Sequence, residues 1–442
     1  MTKNLIMIKN VNIITMNDNR DIIENGVVVI EDNRIAYVGN EDVEYKYNEE
    51  KDVTIIDGNE GILMPGMINC HTHASMVPFR SLADDCKDRL KKYLFPLESR
   101  LVDKELVYKG AQYAIAEMLL GGVTTICDMY YYEDEVARAA EALNIRGVLC
   151  ETIVDFPSPD AKEPYGGIDY AVGFIEKWKN HEIITPGIGP HAPYTNSSEK
   201  LKEAFLISEK YKVPFTMHVA EMGYELEKYK KEYNMTPVKY LESLGILNSN
   251  FIGAHMVLVD NDDIEILKKY KVGISHNIGA NAKGAKGVAP ILKMREQGIN
   301  VGLGSDGPMS GNTLDIITQM ALVGKIHKLF NNDRSVFPSK ELVEMATIGG
   351  AKVLGMSSEI GSIEVGKKAD ITILETKSVN MQPIYDYYSA VVYSANPSNV
   401  DTVIVNGKVV VSNKELLTCK FESIRQELLE LKRNIEIRVQ EY

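Results

Sequence analysis

Three things are missing from this sequence: a Cys-x-x-Cys pair, a basic leader ahead of an apolar core, and an apolar run long enough for a bilayer. The five cysteines (Cys70, Cys86, Cys127, Cys150, Cys419) are irregularly spaced and offer no even disulfide framework, which fits a reducing compartment. The opening residues, "MTKNLIMIKNVNIITMND", alternate like a strand instead of reading as a signal peptide. A soluble, cytoplasmic protein is therefore expected. Positive charge is also in deficit. The 49 Lys and Arg face 62 Asp and Glu, a formal net charge of −13, which disfavours nucleic acid or an anionic membrane as partner. A small molecule is the expected ligand, and a homo-oligomer is left open.

What is present exceeds one domain. A chain of 442 residues, 45% of them hydrophobic, is longer than a single core normally serves. The first stretch holds β-branched runs broken by Asn, Asp and Gly, with no helix between them: "LIMIKNVNIITM", "GVVVIEDNRIAYVG" and "VTIIDGNEGILMP". The same texture returns in "GSIEVGKKADITIL" and "DTVIVNGKVVV". The expected organisation is a small β-sandwich domain formed by both chain ends, residues 1–64 and 363–442, around a central domain of residues 65–362. A final amphipathic stretch, "FESIRQELLELKRNIEIRVQEY", reads as a helix with Leu428, Leu429 and Ile435 turned inward.

In the central part eight short apolar runs alternate with helical patterns. The runs are "GMINCHTH", "TTICDMY", "RGVLCETIV", "ITPGIGPHA", "PFTMHVAE", "FIGAHMVL", "VGISHN" and "INVGLGSDGP". Between them lie segments such as "ELVYKGAQYAIAEMLLGG" and "KLKEAFLISEKYK", apolar at three- and four-residue intervals. Eight strand-helix units predict an α/β fold, a TIM-type (β/α)8 barrel. An open doubly wound sheet would carry Gly-x-Gly-x-x-Gly after its first strand, and none follows that run.

Six of the eight histidines fall at the ends of these runs: His71 and His73, then His191, His218, His255 and His276. Glu221 follows the fifth run and Asp306 ends the eighth. Barrel active sites are built at the carboxyl ends of the strands. Residues two apart in a strand share a face, so His71 and His73 are expected to point together toward the axis. With His218 and Asp306 they make a three-imidazole, one-carboxylate set for one divalent metal ion, Zn2+ by preference, with Fe2+, Mn2+ or Ni2+ as alternatives. His181 and His327 sit in helical or loop context and read as ordinary structural residues.

The motifs "PGMINCHTH", "GPHAPYT", "MHVAE", "AHMV", "SHN" and "GSDGP" resemble those of the amidohydrolase superfamily. Within it they are similar to the deaminase branch that includes methylthioadenosine/S-adenosylhomocysteine deaminase. The resemblance spans essentially the whole chain. It implies His71, His73, His218 and Asp306 as metal ligands, Glu221, His255 and Asp306 as catalytic residues, and Glu98, His191 and Glu221 as substrate contacts. Some relatives bridge two metals with a lysine at the fourth strand; "GIGPHAPY" has none, so a mononuclear site is implied.

The implied activity is hydrolytic release of ammonia from the adenine ring of an adenosine derivative: 5′-methylthioadenosine, 5′-deoxyadenosine, S-adenosylhomocysteine or adenosine. A zinc ion lowers the pKa of a bound water from about 15.7 to about 7. Asp306 is then expected to take the water's proton, His255 to orient the attack and Glu221 to protonate the ring nitrogen. Four positions depart from the family pattern: Arg89 stands where a tryptophan is usual, Ile278 where a proline is, Ala280 where a serine is common, and Glu151 where carboxylate-binding relatives have an arginine. A Glu151 carboxylate facing the ligand would repel a carboxylate tail and favour neutral or cationic 5′ groups. The polar segment "SLADDCKDRLKKYL" is the candidate to cover the ligand. Two alternatives stay open: a deaminase or hydrolase of another aminated heterocycle such as guanine, a pterin or a triazine, and a non-catalytic metal-binding protein. The Pro-Cys-x-x-Cys of cytidine-type zinc deaminases does not occur.

Overall fold

The structure, a computed structural model, describes residues 4–40, 53–86 and 90–439. Arg89, and residues 87–89 of the segment expected to cover the ligand, lie outside them. The opening strands β1 (Leu5–Ile14), β2 (Ile22–Glu31), β3 (Arg34–Asn40) and β4 (Val53–Pro65) are followed by β5 (Met67–Thr72), β6 (Val123–Tyr130), β7 (Arg146–Ile153) and β8 (Ile184–Pro190). Next come β9 (Phe215–Val219), β10 (Phe251–His255), β11 (Gly273–His276) and β12 (Val301–Leu303). The last four are β13 (Ile371–Leu374), β14 (Val400–Val405), β15 (Lys408–Ser412) and β16 (Glu415–Leu416).

Both chain ends meet in one sheet of eight strands, ordered β16-β15-β14-β13-β4-β1-β2-β3. β4 lies parallel to β1 and antiparallel to β13, so the first and last parts of the chain join through it. Ile8, Ile30, Ile371, Ile373 and Ile404 are fully or nearly fully buried in a core belonging to this sheet. The bidentate pair Arg146–Asp370, at 2.8 and 3.1 Å and buried on both sides, fastens the start of β7 to the entry of β13. Asp370 also accepts the Asn406 backbone N–H at 2.7 Å.

β5 to β12 form a second sheet of eight parallel strands in sequence order, each at one of the eight predicted runs. Covered by helices outside and by one another inside, such strands are apolar on both faces, and that is why they read as continuous runs. The seam between β5 and β12 is spanned by side chain and backbone. Asn69 Nδ2 donates to Ser305 Oγ at 2.7 Å, Ser305 N to Asn69 Oδ1 at 3.1 Å, and Asp306 N to the His71 carbonyl at 3.0 Å. Cys70, Cys127, Val148, Cys150 and Ile252 fill the barrel floor against Ala351 and Val353. All five cysteines are free thiols.

The intervening helices match the periodic segments, among them Lys104–Leu120, Ser198–Tyr211 and Asn261–Tyr270. The first starts at Asp103, whose carboxylate accepts the Leu106 N–H at 2.9 Å. The carboxyl-terminal helix, Phe421–Val439, is present, but its inward stripe is Ile424, Leu428, Leu431 and Ile435. Leu429 sits beside that stripe. The observed i, i+4, i+7, i+11 spacing follows 3.6 residues per turn more closely than the predicted set. Among the described residues no helix is long and apolar enough to cross a membrane.

Candidate metal centre and active site

The carboxyl ends of the barrel strands surround a cavity of about 520 Å³ whose wall includes His73, Glu98, His191, His218, Glu221, His255 and Asp306. Donor atoms of His71, His73, His218 and Asp306 lie within 4.8 Å of one another, and all four residues are buried. His73 Nε2 is 3.3 Å and His71 Nε2 3.9 Å from Asp306 Oδ1.

Strict alternation does not aim these histidines. Against β6, the partner of Asn69 is Ile126 and that of Thr72 is Asp128, so three steps on β5 oppose two on its neighbour. This is a β-bulge. It lets Cys70 pack in the floor while the next residue, His71, also turns inward. Strain marks the other strand ends. Ala220, His255, Met256 and Asp306 all have positive φ, between 48° and 75°, a conformation that costs non-glycine residues about 1–3 kcal/mol each. Surrounding hydrogen bonds hold it: Met256 N to Val219 O (3.1 Å), Leu258 N to Ala220 O (2.8 Å) and Gly307 N to Asp306 Oδ1 (2.6 Å). Gly304 is required for close approach, since a Cβ there would fall 2.1 Å from Asn277 Oδ1.

The polar partners fit a cation. His73 Nδ1 donates to the Met129 carbonyl at 2.5 Å and His218 Nδ1 to the His191 carbonyl at 2.7 Å, which turns each Nε2 toward the centre of the group. Those two Nε2 atoms face each other at 3.2 Å. Among the described residues neither ring nitrogen of the fully buried His71 has a hydrogen-bond partner. Burial and the neighbouring imidazoles hold His71 and His218 well below the ordinary histidine value, in the neutral form that ligates. Burial alone would lower His73 too, but the Asp306 carboxylate pushes it up to about 9. A divalent cation between the two would take that proton's place. The donor set, three imidazoles and one carboxylate, is a metal-binding group of nitrogen and oxygen donors that suits zinc.

A second group adjoins the first through Asp306. His255 Nε2 is 3.6 Å from Glu221 Oε1 and 3.9 Å from Asp306 Oδ2. His255 Nδ1 donates to Asn281 Oδ1 at 2.8 Å, while its buried Nε2 has no hydrogen-bond partner among the described residues. Burial alone would raise Glu221, but His255 and Lys286 hold it down to about 2. Glu98, 5% exposed, accepts the Tyr130 hydroxyl at 2.9 Å, and burial pushes it up to about 7. His191 Nδ1 lies 3.1 Å from Thr195 Oγ1. Every residue expected at the site thus borders the cavity or belongs to the metal-binding group.

Two expectations are corrected. Glu151 does not face the ligand. Cys150 and Thr152 take the interior face of β7, Thr152 bordering the cavity, while Glu151 is fully buried on the opposite face and accepts the Glu133 N–H at 2.9 Å. From that face Glu151 does not repel a carboxylate tail, and it sets no preference for neutral or cationic 5′ groups. His276, grouped by sequence with the strand-end histidines, turns outward: its Nε2 meets His327 Nε2 at 3.0 Å, both rings buried. Of the other departures, Ala280 borders the cavity, whereas Ile278 is core. His181 lies at the surface beside Glu141, at 3.2 Å. Sequence reading missed Lys286, which ion-pairs with Glu221, Asn281, which orients His255, and Glu225, which accepts the Ala220 and Glu221 N–H groups at 3.0 Å each. Lys286 and Asn281 act through tertiary contacts, whereas Glu225 acts on backbone only four and five residues away.

Comparison with known proteins agrees with this geometry. The chain is 39% identical over 91% of its length to the 5-methylthioadenosine/S-adenosylhomocysteine deaminase of Thermodesulfovibrio yellowstonii, 92% of which is covered. It is 37% identical over 96% of both chains to the 5′-deoxyadenosine deaminase of Methanosarcina barkeri. Among solved structures, an adenosine deaminase from Xanthomonas campestris with bound zinc superposes with a TM-score of 0.94 at 26% identity, covering 99% of each chain. Residues 62–410 match the model of the Amidohydrolase family. With the barrel, the shared sheet and the strand-end cluster of three imidazoles and a carboxylate, the chain belongs to the amidohydrolase family.

Proposed function

We propose that this protein is a metal-dependent aminohydrolase that releases ammonia from the adenine ring of an adenosine derivative, with 5′-methylthioadenosine, S-adenosylhomocysteine and 5′-deoxyadenosine as the leading substrates. The observation that carries the reading is one carboxylate, Asp306, shared by the metal-binding group and by the pair Glu221–His255 in a single cavity. The relatives' names point the same way.

His71, His73, His218 and Asp306 would hold one divalent ion, zinc by preference because the donor set suits it. When bound, that ion supplies acidity to a water and polarises the bond under attack. The remaining work belongs to side chains. Asp306 receives the water's proton at a carboxylate oxygen, and His255, fixed by Asn281, offers Nε2 to orient the water. Glu221, held ionised by His255 and Lys286, takes up the water's other proton and delivers it to the ring nitrogen next to the amine-bearing carbon. A C–O bond forms, the C–N bond breaks and the amine leaves as ammonia after gaining the proton that Asp306 took from the water. Glu98 accepts hydrogen bonds from the ribose hydroxyls, and His191 contacts the nucleoside.

The test is ammonia release by metal-loaded protein across adenosine, the three derivatives above, guanine, a pterin and a triazine. The expected result is fastest turnover with a 5′-modified adenosine. Turnover confined to a free base or a triazine would overturn the reading.

A further inference from the structure

Lys286 enters the cavity from the Gly-rich turn after the helix Ile278–Lys283, yet none of the roles assigned so far uses it. Its side chain is only 14% exposed and its Nζ forms an ion pair with Glu221 Oε1. Its own backbone N–H is tied to the Asn281 carbonyl at 2.9 Å. The positive φ of Ala285 (50°) and Gly287 (114°) folds the turn back toward the site.

Two features give this contact direction. Glu225 holds the backbone of residues 220 and 221, but that leaves the Glu221 side chain its own rotations; the Lys286 ammonium fixes the carboxylate end. The same short segment also supplies Asn281, which holds His255. Residues 281–286 thus aim both members of the Glu221–His255 pair, whose facing atoms are 3.6 Å apart. The segment is anchored at the cavity mouth, where Lys283 Nζ donates to Asp84 Oδ1 at 2.8 Å and also reaches Asn312, and Asn312 Nδ2 donates to Asp84 Oδ2 at 2.9 Å.

We propose that Lys286 is a positioning residue for the proposed deamination: its ammonium holds the Glu221 carboxylate beside His255, in the place from which the ring nitrogen is reached. The inference rests on the functional reading above. Displacing a reacting group by about 1 Å costs on the order of 100-fold in rate, so the effect belongs in kcat.

The test has a kinetic and a chemical arm, both on the metal-loaded full chain. Lys286→Met is expected to lower kcat for 5′-methylthioadenosine about 10- to 100-fold, with KM within about threefold and metal content unchanged, and Lys286→Arg to restore most of the loss. Brief acetic anhydride labelling, read by peptide mass spectrometry against the exposed Lys212, is expected to modify Lys286 slowly in the wild type and readily in Glu221→Gln. Unchanged kcat in Lys286→Met overturns the role and leaves the function standing. A joint loss of kcat, metal and thermal stability that Lys286→Arg does not restore also overturns it, in favour of a structural part. Equal labelling in wild type and Glu221→Gln overturns the contact. Absence of ammonia release by the wild type from any adenosine derivative overturns the function itself.

Discussion

Replacing Glu98 with Gln should raise stability and lower activity together, in a pH-dependent way. The carboxyl is 5% exposed, and burial pushes it from the ordinary 4.5 up to about 7 against the favourable Tyr130 hydroxyl. Because the folded value is raised, the folded chain keeps a proton that the unfolded chain releases above pH 4.5, so stability falls as pH rises from about 4.5 to about 7. A shift of about 2.5 units corresponds to roughly 3 kcal/mol at pH 8. The metal's charge, like that of His73, pulls the value down, so this is an upper figure. In Glu98→Gln the ionised form is gone. Thermal unfolding of the metal-loaded, substrate-free protein should therefore move up by a few degrees at pH 8 and little at pH 5. Function should move the other way. Losing charge-assisted hydrogen bonds to a ribose, at about 1.5–3 kcal/mol each, should reduce kcat/KM for 5′-methylthioadenosine about 10- to 100-fold. In the wild type KM should fall as pH rises through about 7, while the variant's should stay flat. Equal destabilisation at both pH values with an unchanged KM would refute both the burial argument and the ribose role.

Other expectations follow from individual contacts. Glu221→Gln should lower kcat by about 10²–10⁴ while leaving metal content at the wild-type level; near-normal turnover would remove Glu221 from the chemistry. Arg146→Met leaves the Asp370 carboxylate buried without its bidentate partner and should destabilise by about 3–5 kcal/mol. Denaturant unfolding would register that loss, and a cost under about 1 kcal/mol would mean that the pair does not fasten the sheet to the barrel.

The eight barrel strands were legible because doubly buried parallel strands leave continuous apolar runs, with their chemistry gathered at one end. The metal-binding group was legible for the same reason: His71, His73, His218 and Asp306 lie near the carboxyl ends of three of the runs. What the pattern could not supply was side-chain direction. The bulge in β5 turns His71 inward beside Cys70, a feature that no composition signals. On β7 a one-residue difference decides that Thr152 borders the cavity and Glu151 does not. His276 has the strand-end position of a site residue, but it faces the helix that carries His327. Lys286 and Asn281 act through contacts 65 and 26 residues away along the chain, so no local motif contains both members of either pair.

The most direct test of the account is elemental analysis of the purified protein beside His218→Ala and Asp306→Asn variants whose circular dichroism matches the wild type. One divalent ion per chain in the wild type, lost from both variants together with ammonia release, is the predicted result. No metal, two ions per chain, or full retention by the variants would contradict the central claim that four strand-end donors enclose a single cation.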